Sequence, residues 1–149
     1  MKTKFTTALK RISPHILTSE VSCKCCGRGA DKIHPEIIRI FETIREIINR
    51  PINITRGYSC LKHQKELISK GYLTSLHSPH RYYTALDCVP PAGISLEEFR
   101  DIARDVSKDV RIGWKAYSQH IHIDVAYIKI VKKKPTKAAR LSWVEGVEW

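Results

Sequence analysis

The sequence predicts an α+β fold with a small, mainly antiparallel sheet. Helical periodicity comes in separate blocks, the strand-like runs fall late in the chain, and the loops between them are short. The 149 residues, 17.1 kDa, fit one core. We expect one folded domain over residues 1–130 and a basic tail over 131–149.

Taken in order, residues 1–22 are polar with scattered apolar positions, and Cys23-Lys24-Cys25-Cys26-Gly27-Arg28-Gly29 is too glycine-rich to be regular. Pro35 then opens a helix over about 35–49, with Ile37, Ile38, Phe41, Ile44, Ile47 and Ile48 on its inner face. Pro51 stops it. Ile52 and Ile54 alternate with polar residues as a short strand ending at Arg56-Gly57-Tyr58, and a second helix covers about 61–69. Residues 70–79 read as a loop and Arg81–Val89 as a strand broken by Pro90, Pro91 and Gly93. Ser95 and Glu98 form a capping box ahead of a third helix, whose inner face is Leu96, Phe99, Ile102, Ala103 and Val106. Val110–Gly113 and Gln119–Ile130 read as strands. From 132 onward the tail looks loosely held, with Trp143 and Trp149 available to dock it.

Hydrophobic residues at 42% and charged ones at 28% exclude a disordered chain. Lys plus Arg is 26 against 15 for Asp plus Glu, a net +11 and a pI of about 9.6, which favours anionic partners: nucleic acid, an anionic membrane or a wall polymer. The bland alternative is a solvated tail, since Lys132, Lys133, Lys134, Lys137 and Arg140 cluster there. No apolar run is long enough to span a membrane, and MKTKFTTALKRISPHILT lacks the apolar stretch of a signal peptide, so synthesis in the cytoplasm is expected.

The chemistry concentrates in two segments. His80 precedes a predicted strand and Asp87 lies near its end; in Gln119-His120-Ile121-His122-Ile123-Asp124, strand alternation puts His120, His122 and Asp124 on one face and the isoleucines on the other. A stripe of imidazoles and carboxylate backed by a hydrophobic face is costly unless something such as a metal uses it; a solvated outer face is the competing explanation.

Together the segments resemble the zinc D-alanyl-D-alanine carboxypeptidase family, whose wider group includes lysostaphin-type endopeptidases and the hedgehog signalling domain. The resemblance rests on Ser78-x-His80-x₆-Asp87 with a later strand histidine, on Ile54-Thr55-Arg56-Gly57-Tyr58-Ser59-Cys60, similar to a Thr-Ser-Gly-Tyr-Arg segment, and on the Cys-x-Cys turn, similar to that of the phage-associated branch. It runs from about Leu17 to Val125. It implies a Zn²⁺ site on one sheet face, with helices packed on the other, and His80, Asp87 and His122 as ligands. It further implies a metallopeptidase in which metal-activated water cleaves peptidoglycan stem peptides.

Two departures stand out. Ser59 replaces the arginine of the family's Gly-Tyr-Arg, leaving Arg56, or Arg81, to supply a cation for the oxyanion. Gln119, three residues before His122, replaces the usual carboxylate base and cannot take a proton. Asp124 is then either base or orienter of His122, and His120 matches an extra histidine that serves the oxyanion or leaving group. His77 reads as a loop residue, and His15, His34 and His63 as surface or cap residues.

Five cysteines, an odd number, argue against a fully paired disulfide framework. Cys23, Cys25, Cys26 and Cys60 fit a four-thiolate knot poorly by spacing. A disulfide from the turn to Cys60 and buried free thiols are the other readings, and Cys88 is expected in the core.

The implied enzyme is a small lysis-type peptidase, monomeric, acting at the cell wall after release and attracted to its anionic polymers. A zinc-retaining binding module of the same fold is the alternative. Nucleic acid is disfavoured, because aromatics do not interleave with the basic residues except around Trp143.

Overall fold

The computed structural model describes residues 10–127, 129–131 and 143–149. A two-stranded ribbon of β1 (Arg11–Ser13) and β2 (Ile16–Leu17) leads into one helical turn, α1 (Thr18–Val21). Then come α2 (Pro35–Ile48), β3 (Asn53–Arg56), α3 (Leu61–Ser69), β4 (Ala85–Val89), α4 (Leu96–Val106), β5 (Arg111–Gly113) and β6 (Ile121–Asp124). The four-stranded sheet has the order β3-β4-β6-β5, and each neighbouring pair is antiparallel, as the α+β reading requires.

Period-2 alternation divides the sheet into two faces. Leu86 and Cys88 of β4, Ile121 and Ile123 of β6, and Ile54 and Ile112 face a core completed by Ile37, Ile40, Phe41 and Ile44 of α2 and by Phe99 and Ala103 of α4. Ile40 fills the place on α2 expected for Ile47, which is 56% exposed. The predicted start signals are present: Pro35 sits in the first turn of α2, and Ser95 Oγ accepts the Glu98 N–H while Glu98 Oε1 accepts the Ser95 N–H, both at 3.0 Å.

Two predicted strands are shorter than expected. The run over Arg81–Val89 becomes extended only at Ala85, because Ser78 caps a 3-10 turn over Pro79–Tyr82 and Tyr83 takes a left-handed φ of 64°. The run over Gln119–Ile130 is paired only from Ile121 to Asp124, where its partners end: Asp124 faces Ala85 on β4 and Arg111 on β5. Beyond it the chain bends, with the Tyr127 N–H donating to Val125 O at 2.9 Å.

The tryptophans dock as anticipated. Trp143 is buried against Tyr82, and the Trp149 N–H donates to Ile112 O at 3.0 Å, so the final residues run beside β5. The basic cluster Lys132–Arg140 lies outside the described residues.

Candidate metal centre

Sheet register assembles the centre. Arg56 faces Asp87, Asp87 faces His122, and His122 faces Gly113, so one row crosses all four strands on the face opposite the core. The next row sets Asp124 opposite Arg111. Only His80 comes from outside the sheet. The Ser78 hydroxyl accepts the His80 N–H at 3.2 Å, capping the turn that carries the imidazole over β4.

His80, Asp87 and His122 are 1%, 7% and 5% exposed, and their facing ligand atoms all lie within 4.8 Å of one another. His80 Nδ1 lies 2.7 Å from Gly57 O, and His122 Nε2 lies 2.7 Å from Asp124 Oδ2. A carbonyl and a carboxylate only accept, so each ring donates its outer N–H. The inner nitrogens, His80 Nε2 and His122 Nδ1, then point their lone pairs at Asp87 Oδ1, at 3.2 and 2.9 Å. Three electron-pair donors converge with no N–H left among the neutral rings to separate them, which is a donor set suited to a cation.

Burial and neighbouring charge set the protonation states of the ion-free centre. Burial lowers the His80 pKa, an effect that nearby Asp87 opposes, so this ring is neutral. For Asp87, burial works against the charged form, but His80 and His122 outweigh it and hold the carboxyl well below its usual range. Burial likewise opposes charge on His122, yet its bonds to Asp124 and Asp87 raise its pKa to about 9. His122 therefore holds a second proton at neutral pH, shared with Asp124 and Asp87, and a cation at the centre would displace the one on Nδ1.

Two glycines make the packing feasible. A Cβ on Gly57 would meet Val21 Cα at 2.5 Å, so only glycine lets α1 lie close while its carbonyl holds His80. A Cβ on Gly113 would meet Trp149 Cε2 at 2.6 Å; its absence seats the indole 5.3 Å from the His122 ring, centroid to centroid.

The centre opens on a cavity of about 810 Å³ lined by Arg56, Tyr72, Tyr117, His120 and Trp149 among others. Arg56 bonds through its guanidinium to Gln64 Oε1, which also accepts the Ser59 hydroxyl at 2.6 Å, so the serine at the family's arginine position helps hold Arg56. Burial lowers the Arg56 pKa, while Asp87 opposes the change; its Nε is buried with no hydrogen-bond partner among the described residues. His120 stacks on Tyr117 at 4.2 Å, with Nε2 3.9 Å from Asp87 Oδ2.

Asp124 does not line the cavity. It is fully buried behind His122, ion-paired with Arg111 at 2.9 Å, and accepts the Ala126 N–H at 2.9 Å. Gln119 is exposed and outside the cavity lining. Arg81 is also elsewhere, donating to Leu76 O at 2.9 Å and lying over the Tyr82 ring. His63, read as a surface residue, lines the cavity. Trp149 was not legible as a site residue, because only packing across distant segments brings it there.

A search of curated proteins finds no match. Among solved structures, the crystal structure of Serratia marcescens L-Ala D-Glu endopeptidase ChiX is similar, with a TM-score of 0.49 and 23% identity over 63% of this chain and 80% of that one. Residues 14–124, a span holding the centre and its supporting row, match the Peptidase M15 profile, and the chain belongs to this family of metallopeptidases.

Proposed function

We propose that the protein is a zinc-dependent peptidase that hydrolyses peptidoglycan stem peptides at a D-alanyl bond or a neighbouring L,D or D,L bond. The observation that carries this reading is the convergence of His80 Nε2, Asp87 Oδ1 and His122 Nδ1 beneath a cavity of about 810 Å³, a size that takes a short peptide. Two imidazoles and one carboxylate are the three-ligand set of catalytic zinc, which keeps a position for water. Bound there, zinc acidifies water and polarises a peptide carbonyl.

The chain's own residues supply the rest. Asp124, anchored by Arg111, holds the His122 ring in the tautomer that presents Nδ1. Arg56, in the row beside Asp87 and lining the cavity, offers positive charge to the oxygen of the attacked carbonyl. His120, at the cavity edge, carries protons between water and the leaving amine, since Gln119 cannot.

The net +11 charge suits attraction to the carboxylates and phosphates of a wall. We assign the metal ligands and the groups that act on the substrate to residues 1–130, with Trp149 completing a cavity wall, and much of that attraction to the basic stretch after 131, in a monomeric lysis-type enzyme that reaches the wall after release from the cytoplasm. The test is mass analysis of peptidoglycan digested by the zinc-loaded protein. New stem-peptide fragments are expected; no cleavage, together with unchanged wall lysis by His80→Ala, overturns the reading.

One observation favours a second reading, a zinc-retaining wall-binding module. Among the described residues, the cavity has no carboxylate besides Asp87. Stem-peptide turnover by wild type that falls in Asp124→Asn supports the enzyme, and zinc-loaded protein that binds wall fragments without turnover supports the module.

A further inference from the structure

Four cysteines form a second cluster that the peptidase reading leaves unused. Cys23, Cys25 and Cys26 come from the turn before α2, and Cys60 is the N-cap of α3. Their sulfurs all lie within 4.8 Å of one another, with Cys25 to Cys60 at 3.3 Å and Cys23 to Cys25 at 3.7 Å. A tetrahedral zinc with Zn–S bonds of about 2.3 Å sets sulfur–sulfur edges of about 3.8 Å, which matches this spacing. A single disulfide would use two sulfurs and leave the other two without a role.

The surroundings fit thiolate ligands. The Cys60 N–H donates to Cys23 Sγ and the His63 N–H to Cys60 Sγ, both at 3.4 Å, as outer-shell amides do around metal-bound sulfur. Cys23 is buried while Cys25 and Cys26 are exposed, an arrangement that leaves two thiols in solvent unless a partner occupies them. Four thiolates and one divalent ion carry a net charge of −2, which Lys24 and Arg28 of the same turn offset. Cys25 also lies near His63 and Glu66, a possible mixed trio, but four sulfurs make the softer and closed set that zinc takes in structural sites.

We infer that Cys23, Cys25, Cys26 and Cys60 form a structural zinc site that ties the turn before α2 to the start of α3. The site sits at the edge of the cavity. Lys24, between two of the ligands, and His63, three residues after the fourth, both line that cavity. The cluster thus fixes a wall of the peptide-binding space without touching the reacting atoms.

The test is elemental analysis and cobalt substitution of full-length protein purified under reducing conditions. Two zinc ions per chain are expected in wild type, and the cobalt form should show a thiolate-to-metal charge-transfer band. That band should survive His80→Ala and vanish in Cys26→Ser and in Cys60→Ser. Because a cysteine variant can fail to fold, wild-type protein is also titrated with a mercurial; release of one zinc as four thiols react supports the site. Absence of the band in wild type, disulfides in the zinc-loaded protein by intact mass, or loss of the band in His63→Ala with retention in Cys60→Ser overturns it. A protein that shows the band yet cleaves nothing retains this site and fails the peptidase reading, so the two outcomes are separable.

Discussion

His80, Asp87 and His122 stand on two paired strands and the turn above them, almost fully buried, whereas Cys23, Cys25, Cys26 and Cys60 stand on a turn and a helix cap, two of them in solvent. The first cluster inherits its geometry from sheet register: fixing Asp87 opposite His122 fixes their donor atoms. No ladder holds the second. Its sulfurs are brought together by a tight turn, in which the Gly27 N–H donates to Cys23 O at 2.8 Å, and by the docking of α3. One cluster is therefore built before any ion arrives, and the other gains order from the ion it would hold.

The sharpest way to break this contrast is to empty the sheet-borne cluster. His80→Ala should abolish peptide hydrolysis while leaving the circular dichroism spectrum and any thiolate-bound metal unchanged; loss of both metals together would mean that the clusters are not independent. Next in size, Arg56→Met should lower kcat by about 10²–10³-fold, the cost of removing one charge-stabilising donor, with metal content unchanged. A parallel loss of metal would make Arg56 part of the support of the centre. Asp124→Asn should weaken zinc binding or activity by about 10–100-fold, read by chelator competition and by kcat. An unchanged affinity would remove Asp124 from the orienting role.

The smallest effect is a slope. In metal-free protein, burial opposes a charged His122, but Asp124 and Asp87 raise its pKa from 6.5 to about 9. Because the folded value is raised, the stability it contributes is fully present below about 6.5 and lost as pH rises through about 9. Zinc must displace that proton, so affinity at this centre should rise about tenfold per pH unit from neutrality to about 9, then level. Chelator competition in a Cys25→Ser, Cys26→Ser background measures it, and a flat profile would mean that His122 is already neutral.

Local features were the legible ones. Pro35, the Ser95–Glu98 box and the alternation around His122 are rules that act within a few residues, and each held. Ser78 was readable as part of a motif, but its work as the cap of a turn was not, because β-branched and aromatic content made Arg81–Val89 look extended throughout. Asp124 was left between two roles until its burial behind His122 and its bond to Arg111 were known. The convergence of Cys60 on a distant turn and of Trp149 on Gly113 depends on packing between remote segments, which periodicity does not encode.

The row Arg56–Asp87–His122–Gly113 has a consequence for how such a chain can change over generations. Along β4 and β6 the side chains alternate with a period of two, so deleting one residue inside Ala85–Val89 or Ile121–Asp124 keeps nearly the same composition but turns histidine and aspartate into the core and isoleucine outward. Length changes are then confined to the joints, such as residues 90–94. The polar row acts as a reading frame, which any insertion or deletion within these strands would throw out of phase.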